Sequence, residues 1–586
     1  MSNLSLLRDH ERRRWLRFRD PVEVIAAWDV GTVRRQIERI EKVVNTEGLW
    51  AMGYLAYEAA PAFDRALHVQ PPTRALPLLW FGLYHEPEHL SDLPTGDDDP
   101  CALGEWTPSV TPAAYREAIA TIKERIAGGD TYQVNYTFRL RASFQGDPWA
   151  LFLRLWQAQH APYAAYLETD TFALCSASPE LFFHLEDDRV VSQPMKGTAR
   201  RGRTLVEDEA QARWLQESEK NRAENVMIVD MIRNDLGRIA VTGSVQAERL
   251  FDATRYPTLW QMTSTVSATT NAPVADILAA LFPCASVTGA PKVSTMGIIA
   301  DLESAPRGVY TGAIGYLAPG RRSQFSVAIR TVVIDRVQAT AEYGVGSGIV
   351  WDSDAGDEYR ECQTKARILT VALPDISLIE SLLWEPGAGY FLLERHIQRL
   401  ADAAAYFATP LDLAAVRGQL ATFAATLPTR PHKVRLIVAE NGACSVEAAP
   451  IQAASSSPLR VALADQPVDS ADPYLYHKTT HREVYERALA SGPSCDDVLL
   501  WNERGELTES TRANLVLRLD GELLTPPISS GLLAGTFRAE LLAQGLLREQ
   551  VLRAPDLARA ENVYLINSVR RWMSVELIPA VDPNCL

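Results

Sequence analysis

The sequence predicts a globular α+β protein built from more than one domain. Apolar residues make up 47% of the chain and charged residues 22%, which is the ordinary range of folded proteins. At roughly 150 residues per domain, the 586 residues suggest about four units, or fewer large ones. Strand-like and helix-like patterns are mixed along the first half, so neither an all-helical nor an all-strand class is expected.

Charge and cysteine content narrow the classes of function. The net charge is −15, so the chain is a poor candidate for a general binder of nucleic acid or of anionic membranes. The seven cysteines form neither a CxxC pair nor a zinc spacing. No apolar run reaches the roughly 18 residues of a membrane span, and the first residues lack the apolar core of a signal peptide. We therefore expect a soluble cytoplasmic protein.

The regular patterns of the first half begin with a helix and several strands. Isoleucines recur at helical spacing in residues 113–130, which predicts an amphipathic helix. Residues 132–144 alternate like a half-buried strand. Residues 172–178 and 180–194 predict further strands, with Asp187-Asp188 as the turn of a hairpin.

Helical and strand patterns continue up to residue 373. Residues 206–236 are strongly charged and then carry an apolar stripe at helical spacing. Residues 323–335 and 338–350 predict two strands, and residues 357–373 predict a helix.

A domain boundary is expected where this last helical pattern meets Pro374, around residues 372–376. We therefore divide the chain into a domain of residues 1–372 and a domain of residues 373–586. The second is long enough to be an enzyme domain of its own. Residues 452–457, with the sequence AASSSP, predict a local loop.

Two clusters in the first domain carry side chains suited to catalysis. Lys196 lies between Pro194 and Gly197 in a turn after a predicted strand, and a lysine amine becomes a nucleophile when desolvation lowers its pKa. Glu358 and Glu361 are three residues apart, so both carboxylates share one helix face. A few carboxylates with water and substrate oxygens satisfy Mg²⁺.

Other clusters offer backbone or carboxylate contacts. Glu224 precedes the apolar stripe on its predicted helix. Residues 288–291 predict a loop that opens a helix, with Pro291 in its first turn and unpaired N–H groups available to a carboxylate. Residues 344–350, GVGSGIV, lack the spacing of a nucleotide-binding loop, so Gly346 and Gly348 are instead expected to let the backbone approach a ligand closely. Taken alone, each cluster is more often a cap, a turn or a solvated face.

In this order and spacing, the clusters together resemble the chorismate-utilising enzymes, and among them component I of aminodeoxychorismate synthases. The resemblance covers most of residues 50–372 and implies a two-layer α+β fold of large antiparallel sheets with helices outside. The matching segments are 53–64, 126–137, 178–183, 194–198, 222–237, 286–292, 310–317, 328–331, 346–354 and 358–361.

The resemblance implies a magnesium ion and a set of substrate contacts. Glu224 and Glu361 correspond to the Mg²⁺ ligands, with Glu358 beside them, and the metal would hold a chorismate carboxylate. Asn221 stands where relatives often have Glu or Asp, which is expected to loosen the support of the metal site. The other implied substrate contacts are Thr288, Gly289, Tyr310, Arg330 and Gly346.

Three positions discriminate between activities within this family. Lys196 stands where the similar anthranilate synthases have Ala, and in aminodeoxychorismate enzymes this lysine attacks ring carbon C2 and expels the C4 hydroxyl before ammonia enters at C4. Gln133 stands where isochorismate and salicylate synthases have a water-activating Lys. Gln261 stands where anthranilate synthases usually have His. Together they favour amination of chorismate at C4.

The second domain carries its own candidate lysine. Lys478 lies in the segment HKTT, and Arg399 lies on a predicted amphipathic helix. Residues 531–542, GLLAGTFRAELL, predict a glycine-bearing loop that opens a helix, a natural phosphate site. From about residue 378 to residue 572, these segments resemble the fold-type IV pyridoxal phosphate enzymes, which include aminodeoxychorismate lyase.

This second resemblance implies a pyridoxal 5'-phosphate site. Lys478 corresponds to the Schiff-base lysine, and Glu509 corresponds to the carboxylate at the pyridine nitrogen, which keeps the ring protonated as an electron sink. The implied phosphate cradle consists of Arg399, the backbone at Thr536 and Phe537, and the region of Ser568. The AGTFR segment departs from the commoner GITR-like pattern.

Together the two resemblances predict a bifunctional enzyme of 4-aminobenzoate synthesis, a folate precursor. The first domain would aminate chorismate with ammonia, and the second would eliminate pyruvate from 4-amino-4-deoxychorismate. Two alternatives stay open: an anthranilate synthase fused to an aminotransferase, and a second domain that is a non-catalytic binding module.

The expected partners follow from what the chain lacks and from analogy. No cysteine has the GxCxG-like surrounding of a glutaminase nucleophile, so we expect free ammonia or a separate glutamine amidotransferase subunit as the nitrogen source. Enzymes of the class IV fold often dimerise, so a homodimer is expected by analogy.

Overall fold

The structure is a computed structural model, and it describes residues 4–94, 101–370, 373–451, 457–492 and 494–578. The chain forms two compact units. The first consists of Met1–Arg200 and Ala212–Leu373, and the second of Arg201–Gln211 and Pro374–Leu586. The sequence did not predict that the short segment Arg201–Gln211 belongs to the second unit. Ala372, at the predicted boundary, and most of the predicted loop 452–457 lie outside the described residues.

The first unit contains twenty-one strands among its described residues. They are β1 Leu4–Asp9, β2 Arg14–Phe18, β3 Glu23–Ala27, β4 Trp50–Leu55, β5 Leu79–Tyr84, β6 Glu88–Leu90, β7 Ala102–Leu103, β8 Thr107–Pro108, β9 Gln133–Gln145, β10 Tyr163–Glu168, β11 Phe172–Ser178, β12 Leu181–Glu186, β13 Arg189–Gln193, β14 Met195–Arg200, β15 Gln246–Arg255, β16 Leu259–Thr269, β17 Gly289–Ala290, β18 Ala313–Ala318, β19 Arg322–Val327, β20 Thr331–Asp335 and β21 Thr340–Ile349.

These strands form two large antiparallel sheets. One has the order β17-β9-β21-β20-β11-β10-β1-β2-β6, with β7 and β8 also paired to β9. The other has the order β14-β16-β13-β12-β19-β18-β4-β5-β3, with β15 also paired to β16. Adjacent residues of β1 face opposite sides: Leu7 belongs to the hydrophobic core that joins both sheets, and Leu6 to a second core on the other face of its sheet. The predicted α+β class with antiparallel sheets is confirmed.

The predicted strand 323–335 is instead two strands in different sheets. β19 belongs to the second sheet and β20 to the first, and the chain crosses between them at residues 328–330. Arg330 has a left-handed backbone conformation, with φ at 52°. The apolar pattern continues across this break because both strands are buried, so periodicity alone cannot reveal it.

The chain up to Leu373 has more helices than the sequence predicted: the stretch 206–236 forms two helices, and the helix predicted at 357–373 ends at Ala366. The helices are α1 Val30–Glu47, α2 Pro112–Ala127, α3 Pro148–Gln159, α4 Leu205–Glu217, α5 Glu219–Gly237, α6 Val274–Leu281, α7 Lys292–Leu302 and α8 Ala355–Ala366. Pro291 is the N-cap of α7 rather than part of its first turn. α8 starts at the cap residue Asp354, whose carboxylate accepts hydrogen bonds from the N–H groups of Gly356 and Asp357.

The second unit contains two further sheets. Its strands are β22 Leu378–Glu385, β23 Gly389–Tyr390, β24 His432–Val438, β25 Cys444–Pro450, β26 Leu459–Leu463, β27 Asp497–Trp501, β28 Leu507–Ser510, β29 Asn514–Leu519, β30 Glu522–Thr525, β31 Arg548–Glu549, β32 Asn562–Asn567 and β33 Arg571–Leu577. The smaller sheet has the order β23-β22-β24-β25, and the larger has the order β28-β27-β26-β33-β32-β29-β30-β31. A further pairing of β28 with β29 closes six strands of the larger sheet into a ring.

Helices of the second unit pack against these sheets. They are α9 Leu393–Phe407, α10 Leu413–Ala424, α11 Glu483–Ser491, α12 Thr536–Ala543 and α13 Ala554–Arg559. α9 buries Ile397 and Leu400 against Leu382 of β22 and Val434 of β24. Among the described residues of both units, no helix is long and apolar enough to cross a membrane.

Candidate active sites

Lys196 of β14 reaches a polar pocket in the first unit. A Cβ atom placed on Gly348 of β21 would lie only 2.6 Å from Lys196 Nζ and 3.1 Å from Gln133 Nε2 of β9. The missing side chain at Gly348 therefore makes the room for the lysine amine. Removal from water lowers the pKa of Lys196, against the nearby carboxylate of Glu224, which raises it.

Gln261 of β16 supports the backbone beside this lysine. Its Nε2 donates to the carbonyl of Gly197 at 2.8 Å, and its Oε1 accepts from Thr198 Oγ1 at 3.3 Å. Asn221 packs against Gly197, where an added Cβ would lie 3.1 Å from the Asn221 side chain, and its Nδ2 donates to Ser218 Oγ at 3.0 Å. Gln261 and Asn221 therefore both contact the backbone next to Lys196, which lies in strand β14 and not in the predicted turn.

The three glutamates implied as metal ligands lie on helices α5 and α8. Glu361 forms an ion pair with Lys365 at 2.7 Å, and this pair lowers the pKa of Glu361. Glu358 accepts a hydrogen bond from Ser353 Oγ at 2.7 Å. Burial raises the pKa of Glu224, and the neighbouring Glu358 and Glu361 raise it further.

These carboxylates fit a hard cation by their donor chemistry, since Mg²⁺ needs only one or two carboxylates with water and substrate oxygens. Among the described residues, however, no group of three His, Cys, Asp or Glu side chains is close enough to hold a metal ion. A Mg²⁺ ion bound here would compete with Lys365 for Glu361.

The structure places the predicted Thr288-Gly289 segment beside Gln133. Gly289 pairs with Val134, and Ala290 pairs with Gln133 itself, through β17 and β9. Gly289 has φ at 147°, and a Cβ there would lie 2.0 Å from the Gln133 carbonyl oxygen. The hydroxyl of the buried Thr288 donates to the carbonyl of Cys284 at 3.1 Å.

Other predicted substrate contacts are buried near the same strands. Gly346 of β21 accepts a hydrogen bond from Lys365 Nζ at 3.0 Å through its carbonyl oxygen. Tyr310 packs on Gly344 of the same strand, since a Cβ on Gly344 would lie 2.1 Å from the tyrosine ring. Arg330, at the crossover between the sheets, donates from Nη1 to Gln159 Oε1 at 2.9 Å.

The structure also reveals a buried acid that the sequence did not single out. Glu180 lies in the matched segment 178–183 and is 3% exposed. Burial raises its pKa to about 7, although Ser286, Lys196 and the Met195 N–H act to lower it. Among the described residues, its Oε1 has no hydrogen-bond partner, and neither polar atom of the Gln133 side chain has one.

The first site can therefore support proton transfer and nucleophilic attack. It combines a desolvated amine, Lys196, with an acid, Glu180, that carries its proton over part of the neutral range. Unpaired buried polar atoms cost free energy unless a ligand meets them. Glu180 and Gln133 hence mark the place where a polar ligand is expected.

The second site centres on Lys478. Its carbonyl oxygen accepts a hydrogen bond from the N–H of Ile379 in β22 at 3.0 Å. Burial lowers the pKa of Lys478 to about 8, and Arg399 and Arg482 lower it as well, while Glu380 and Glu509 oppose them. A lysine amine with this pKa is partly unprotonated near neutral pH, as carbonyl chemistry requires.

Glu509 lies where β28 and β29 close the larger sheet. Its Oε1 accepts from Tyr485 Oη at 2.9 Å and from the Leu533 N–H at 3.0 Å, and its Oε2 accepts from Asn514 Nδ2 at 3.2 Å. Burial raises the pKa of Glu509 to about 7. Tyr485 and Asn514 were not predicted, although both lie within the stretch of residues 378–572 that resembles the class IV enzymes.

The predicted phosphate cradle is held by a buried ion-pair network. Arg399 of α9 donates from Nε and Nη2 to the two carboxylate oxygens of Glu380, at 2.9 and 2.7 Å, and from Nη1 to the Ala534 carbonyl at 3.1 Å. His396 bridges two residues of the network: its Nδ1 lies 2.6 Å from Glu380 Oε2, and its Nε2 lies 3.2 Å from Thr536 Oγ1. Burial acts to raise the pKa of Glu380, but Arg399 and His396 lower it to about 2.

The remaining cradle residues fit a phosphate group. Thr536 and Phe537 are the first residues of α12, where backbone N–H groups have no partner within the helix. The N-cap is Gly535, and a Cβ there would lie 1.9 Å from Asn514 Oδ1. Ser568 Oγ donates to the Ser381 carbonyl at 3.3 Å. Lysine, acid and phosphate donors thus share one unit, which fits a pyridoxal phosphate.

The chain thus contains two different folds, and each holds a lysine whose pKa is lowered by burial. Residues 5–371 match the chorismate binding enzyme family, and residues 377–578 match the amino-transferase class IV family. The first match spans more than half of the chain, which therefore belongs to the chorismate binding enzymes and carries a class IV domain in its second part. The resemblances predicted for both parts of the sequence are confirmed.

Curated relatives match the first part of the chain. The identity is 44% over 268 residues with aminodeoxychorismate synthase of Streptomyces griseus, covering 44% of this chain and 37% of the relative. It is 41% over 267 residues with aminodeoxychorismate synthase component 1 of Salmonella typhimurium, covering 45% and 58%. With the Escherichia coli component 1 it is 35% over 345 residues, covering 54% and 76%. The chain thus spans less than two thirds of the first two relatives.

Solved structures show the same fold for the first part. Anthranilate synthase component I from Streptococcus pneumoniae is 25% identical with a TM-score of 0.53, covering 60% of this chain and 91% of that one. A putative isochorismate synthase, DhbC from Bacillus anthracis, is 18% identical with a TM-score of 0.52, covering 63% and 95%. The second likeness concerns the fold alone.

Proposed function

We propose that the chain makes 4-aminobenzoate from chorismate in two consecutive steps. The first unit would replace the C4 hydroxyl of chorismate by an amino group, and the second would remove pyruvate from 4-amino-4-deoxychorismate. The observation that carries the proposal is the position of Lys196 Nζ against Gly348 and Gln133, in a site that also holds the buried acid Glu180.

In the first step, Lys196 is the nucleophile and Glu180 the proton donor. The amine attacks ring carbon C2, the double bonds shift, and the C4 hydroxyl leaves as water with the proton of Glu180. Ammonia then bonds to C4, the lysine amine leaves C2, and Glu180 regains a proton from the incoming nitrogen. Chorismate and ammonia thus give 4-amino-4-deoxychorismate and water.

The charged groups around Lys196 suit the two carboxylates of chorismate. Arg330 and Lys365 are cations in the same unit, and Lys365 lies at the carbonyl of Gly346. Glu224 and Glu361 would hold a magnesium ion with Glu358 beside them. When bound, the ion neutralises a substrate carboxylate and so lowers the repulsion from these acids.

In the second step, Lys478 moves the proton. The cofactor, when bound, supplies an electron sink conjugated to the substrate nitrogen. Lys478 would take the proton from ring carbon C4, and the C3–O bond would break as the ring becomes aromatic. Lys478 would then return the proton to the methylene carbon of the released enolpyruvate, which becomes pyruvate. Glu509 would hold the pyridine nitrogen, and Arg399 with the start of α12 would hold the phosphate.

The source of nitrogen would be free ammonia or the product of a separate glutaminase. Several relatives are named component 1, a name that presupposes a further component. We propose that this chain alone uses ammonium salts and not glutamine.

The purified chain with chorismate, Mg²⁺, ammonium and pyridoxal phosphate tests both steps. We expect 4-aminobenzoate and pyruvate in equal amounts. The ortho isomer would show an anthranilate synthase instead, as one relative at 38% identity is named. Accumulation of 4-amino-4-deoxychorismate would refute the second step alone, and turnover with glutamine would refute the partner proposal.

A further inference from the structure

A short turn from the middle of the sequence is built into the second unit. Arg201 and Gly202 begin this supporting turn, which comprises residues 201–208, ends in the first residues of α4 and lies within Arg201–Gln211. Asp208 closes it, since its Oδ1 accepts from Arg201 Nε at 2.7 Å and from the Gly202 N–H at 2.8 Å. Asp208 is 1% exposed, and a Cβ on Gly202 would lie 2.1 Å from the Asp208 nitrogen. The supporting turn is therefore compact and tightly packed.

Tyr406, near the end of α9, fixes the supporting turn by three contacts. Its hydroxyl donates to the Gly202 carbonyl at 2.7 Å. Its own carbonyl accepts from Arg201 Nη2 at 2.9 Å, and the Arg201 guanidinium lies 4.4 Å from the centre of its ring. The turn and the helix are thus joined through both backbone and side chain.

The supporting turn also holds the two residues before Lys478. His477 Nε2 donates to the Arg203 carbonyl at 3.1 Å, and Arg203 Nη1 donates to Tyr476 Oη at 3.2 Å. The His477 ring stacks on Tyr406, with centroids 4.2 Å apart and planes at 30°. Burial lowers the pKa of His477 to about 4, so the ring is neutral near pH 7 and its Nε2 carries the hydrogen that the carbonyl accepts.

Lys478 is consequently held from two sides. On its C-terminal side, its carbonyl accepts from Ile379 at 3.0 Å, and the Thr480 N–H donates to Ser377 at 2.9 Å. On its N-terminal side, the support comes from His477 and Arg203. The support on the C-terminal side comes from residues of the class IV domain itself. The support on the N-terminal side comes from the supporting turn, whose residues follow Lys196 by five to twelve positions.

We propose that the supporting turn is a positioning element of the second active site, which holds Lys478 in place through His477. This inference rests on the proposed role of Lys478 as the cofactor-binding lysine. It means that the sequence segment that carries the first reactive amine continues directly into a part of the second site. Tyr406 and His477 act through Lys478 and are not catalytic residues.

Tyr406→Phe in the full chain tests the proposal. It removes the hydrogen bond from the Tyr406 hydroxyl to the Gly202 carbonyl and keeps the ring that His477 and Arg201 contact. Tyr390→Phe is the matched control, because Tyr390 Oη donates to the Leu420 carbonyl at 2.9 Å in the same unit. His477→Phe is the second variant, since it keeps an aromatic ring and removes the donor to Arg203.

Two readouts separate positioning from folding and from the proposed function. The first is the pH dependence of Lys478 acylation in the cofactor-free chain, followed by mass spectrometry. We expect its midpoint in wild type near pH 8, and in Tyr406→Phe a shift toward alkaline pH, because a released lysine regains water. The second is the near-visible absorbance during titration with pyridoxal phosphate, where we expect about threefold to tenfold weaker binding.

The outcomes are distinct. The proposal is supported if the acylation midpoint shifts in Tyr406→Phe and His477→Phe, stays at the wild-type value in Tyr390→Phe, and chorismate amination is unaltered in the same preparations. Equal acylation profiles in wild type, Tyr406→Phe and His477→Phe overturn it. Absence of near-visible absorbance in wild type refutes the proposed function of the second unit, and the acylation profiles still decide the positioning role.

Discussion

The sites of the two lysines differ in how many of their buried polar atoms have hydrogen-bond partners. Around Lys196, Glu180 Oε1 and both polar atoms of the Gln133 side chain have no partner among the described residues. Around Lys478, Glu509 is held by three hydrogen bonds, from Tyr485, Leu533 and Asn514. The first site is built to be completed by a substrate, whereas the second is assembled in advance to hold a group of fixed shape.

The electrostatics differ in the same sense. Three acids, Glu224, Glu361 and Glu180, oppose the loss of the Lys196 proton, and Lys365 favours it. At Lys478 the charges are matched, since Arg399 and Arg482 favour the loss of the proton and Glu380 and Glu509 oppose it. The comparison suggests that substrate or metal charges must adjust the first lysine during the reaction, while the protein alone adjusts the second.

The largest expected effect separates the two sites completely. Lys196→Ala should lower ammonia-dependent loss of chorismate by at least about a thousandfold, because it removes the nucleophile. It should leave the near-visible absorbance with pyridoxal phosphate unchanged. Lys478→Ala is the reciprocal control: chorismate should still disappear, 4-amino-4-deoxychorismate should accumulate, and the absorbance should be lost. Loss of the absorbance in Lys196→Ala, or loss of chorismate consumption in Lys478→Ala, would contradict two independent lysines.

A smaller effect is expected from the acid of the first site. Glu180→Gln should slow amination by about a hundredfold or more, since it removes the proton donor. Glu180 acts in its protonated form, so the wild-type rate should fall as the pH rises through about 7. The variant should lose this falling limb. A wild-type-like pH profile in Glu180→Gln would assign the proton donor to another group.

Many residues of both candidate sites could be named from the sequence because they lie in short, specific segments. Lys196, Glu361 and Lys478 lie in specific motifs, and the structure places each beside partners suited to the expected chemistry. Glu180 lies in the matching segment 178–183 as well. Its significance depends on burial and on an unpaired oxygen, which no local pattern encodes.

Two parts of the fold could not be predicted because local sequence patterns do not record long-range contacts. The break at Arg330 falls within a continuous apolar run, because both strands it joins are buried. The supporting turn joins the second unit through Tyr406 and His477, about 200 residues or more away in sequence. Contacts of such separation leave no periodic signal.

Gly348→Ala tests whether the open space at Lys196 is needed. The added methyl group would lie 2.6 Å from Lys196 Nζ, so the amine must move, and misplacement of a reacting group by about 1 Å can cost a hundredfold. We expect amination to slow by about tenfold to a hundredfold, with little change in thermal unfolding. Gly297→Ala in α7 is the control, because its added Cβ has no neighbour within 4 Å. Equal rates for the two variants would contradict the packing argument.

The smallest effect should come from one support of the preassembled site. Tyr485→Phe removes the hydroxyl that donates to Glu509 Oε1 and that helps to lower the pKa of this acid. The pKa of Glu509 should rise above about 7, so more of it is protonated at neutral pH and less is available to a protonated pyridine nitrogen. Binding of pyridoxal phosphate, measured by near-visible absorbance, should weaken about threefold to tenfold at pH 7. The difference in affinity between wild type and Tyr485→Phe should shrink at higher pH, where Glu509 ionises in both proteins. A Tyr485→Phe chain with wild-type affinity at every pH would show that Leu533 and Asn514 suffice to hold the carboxylate.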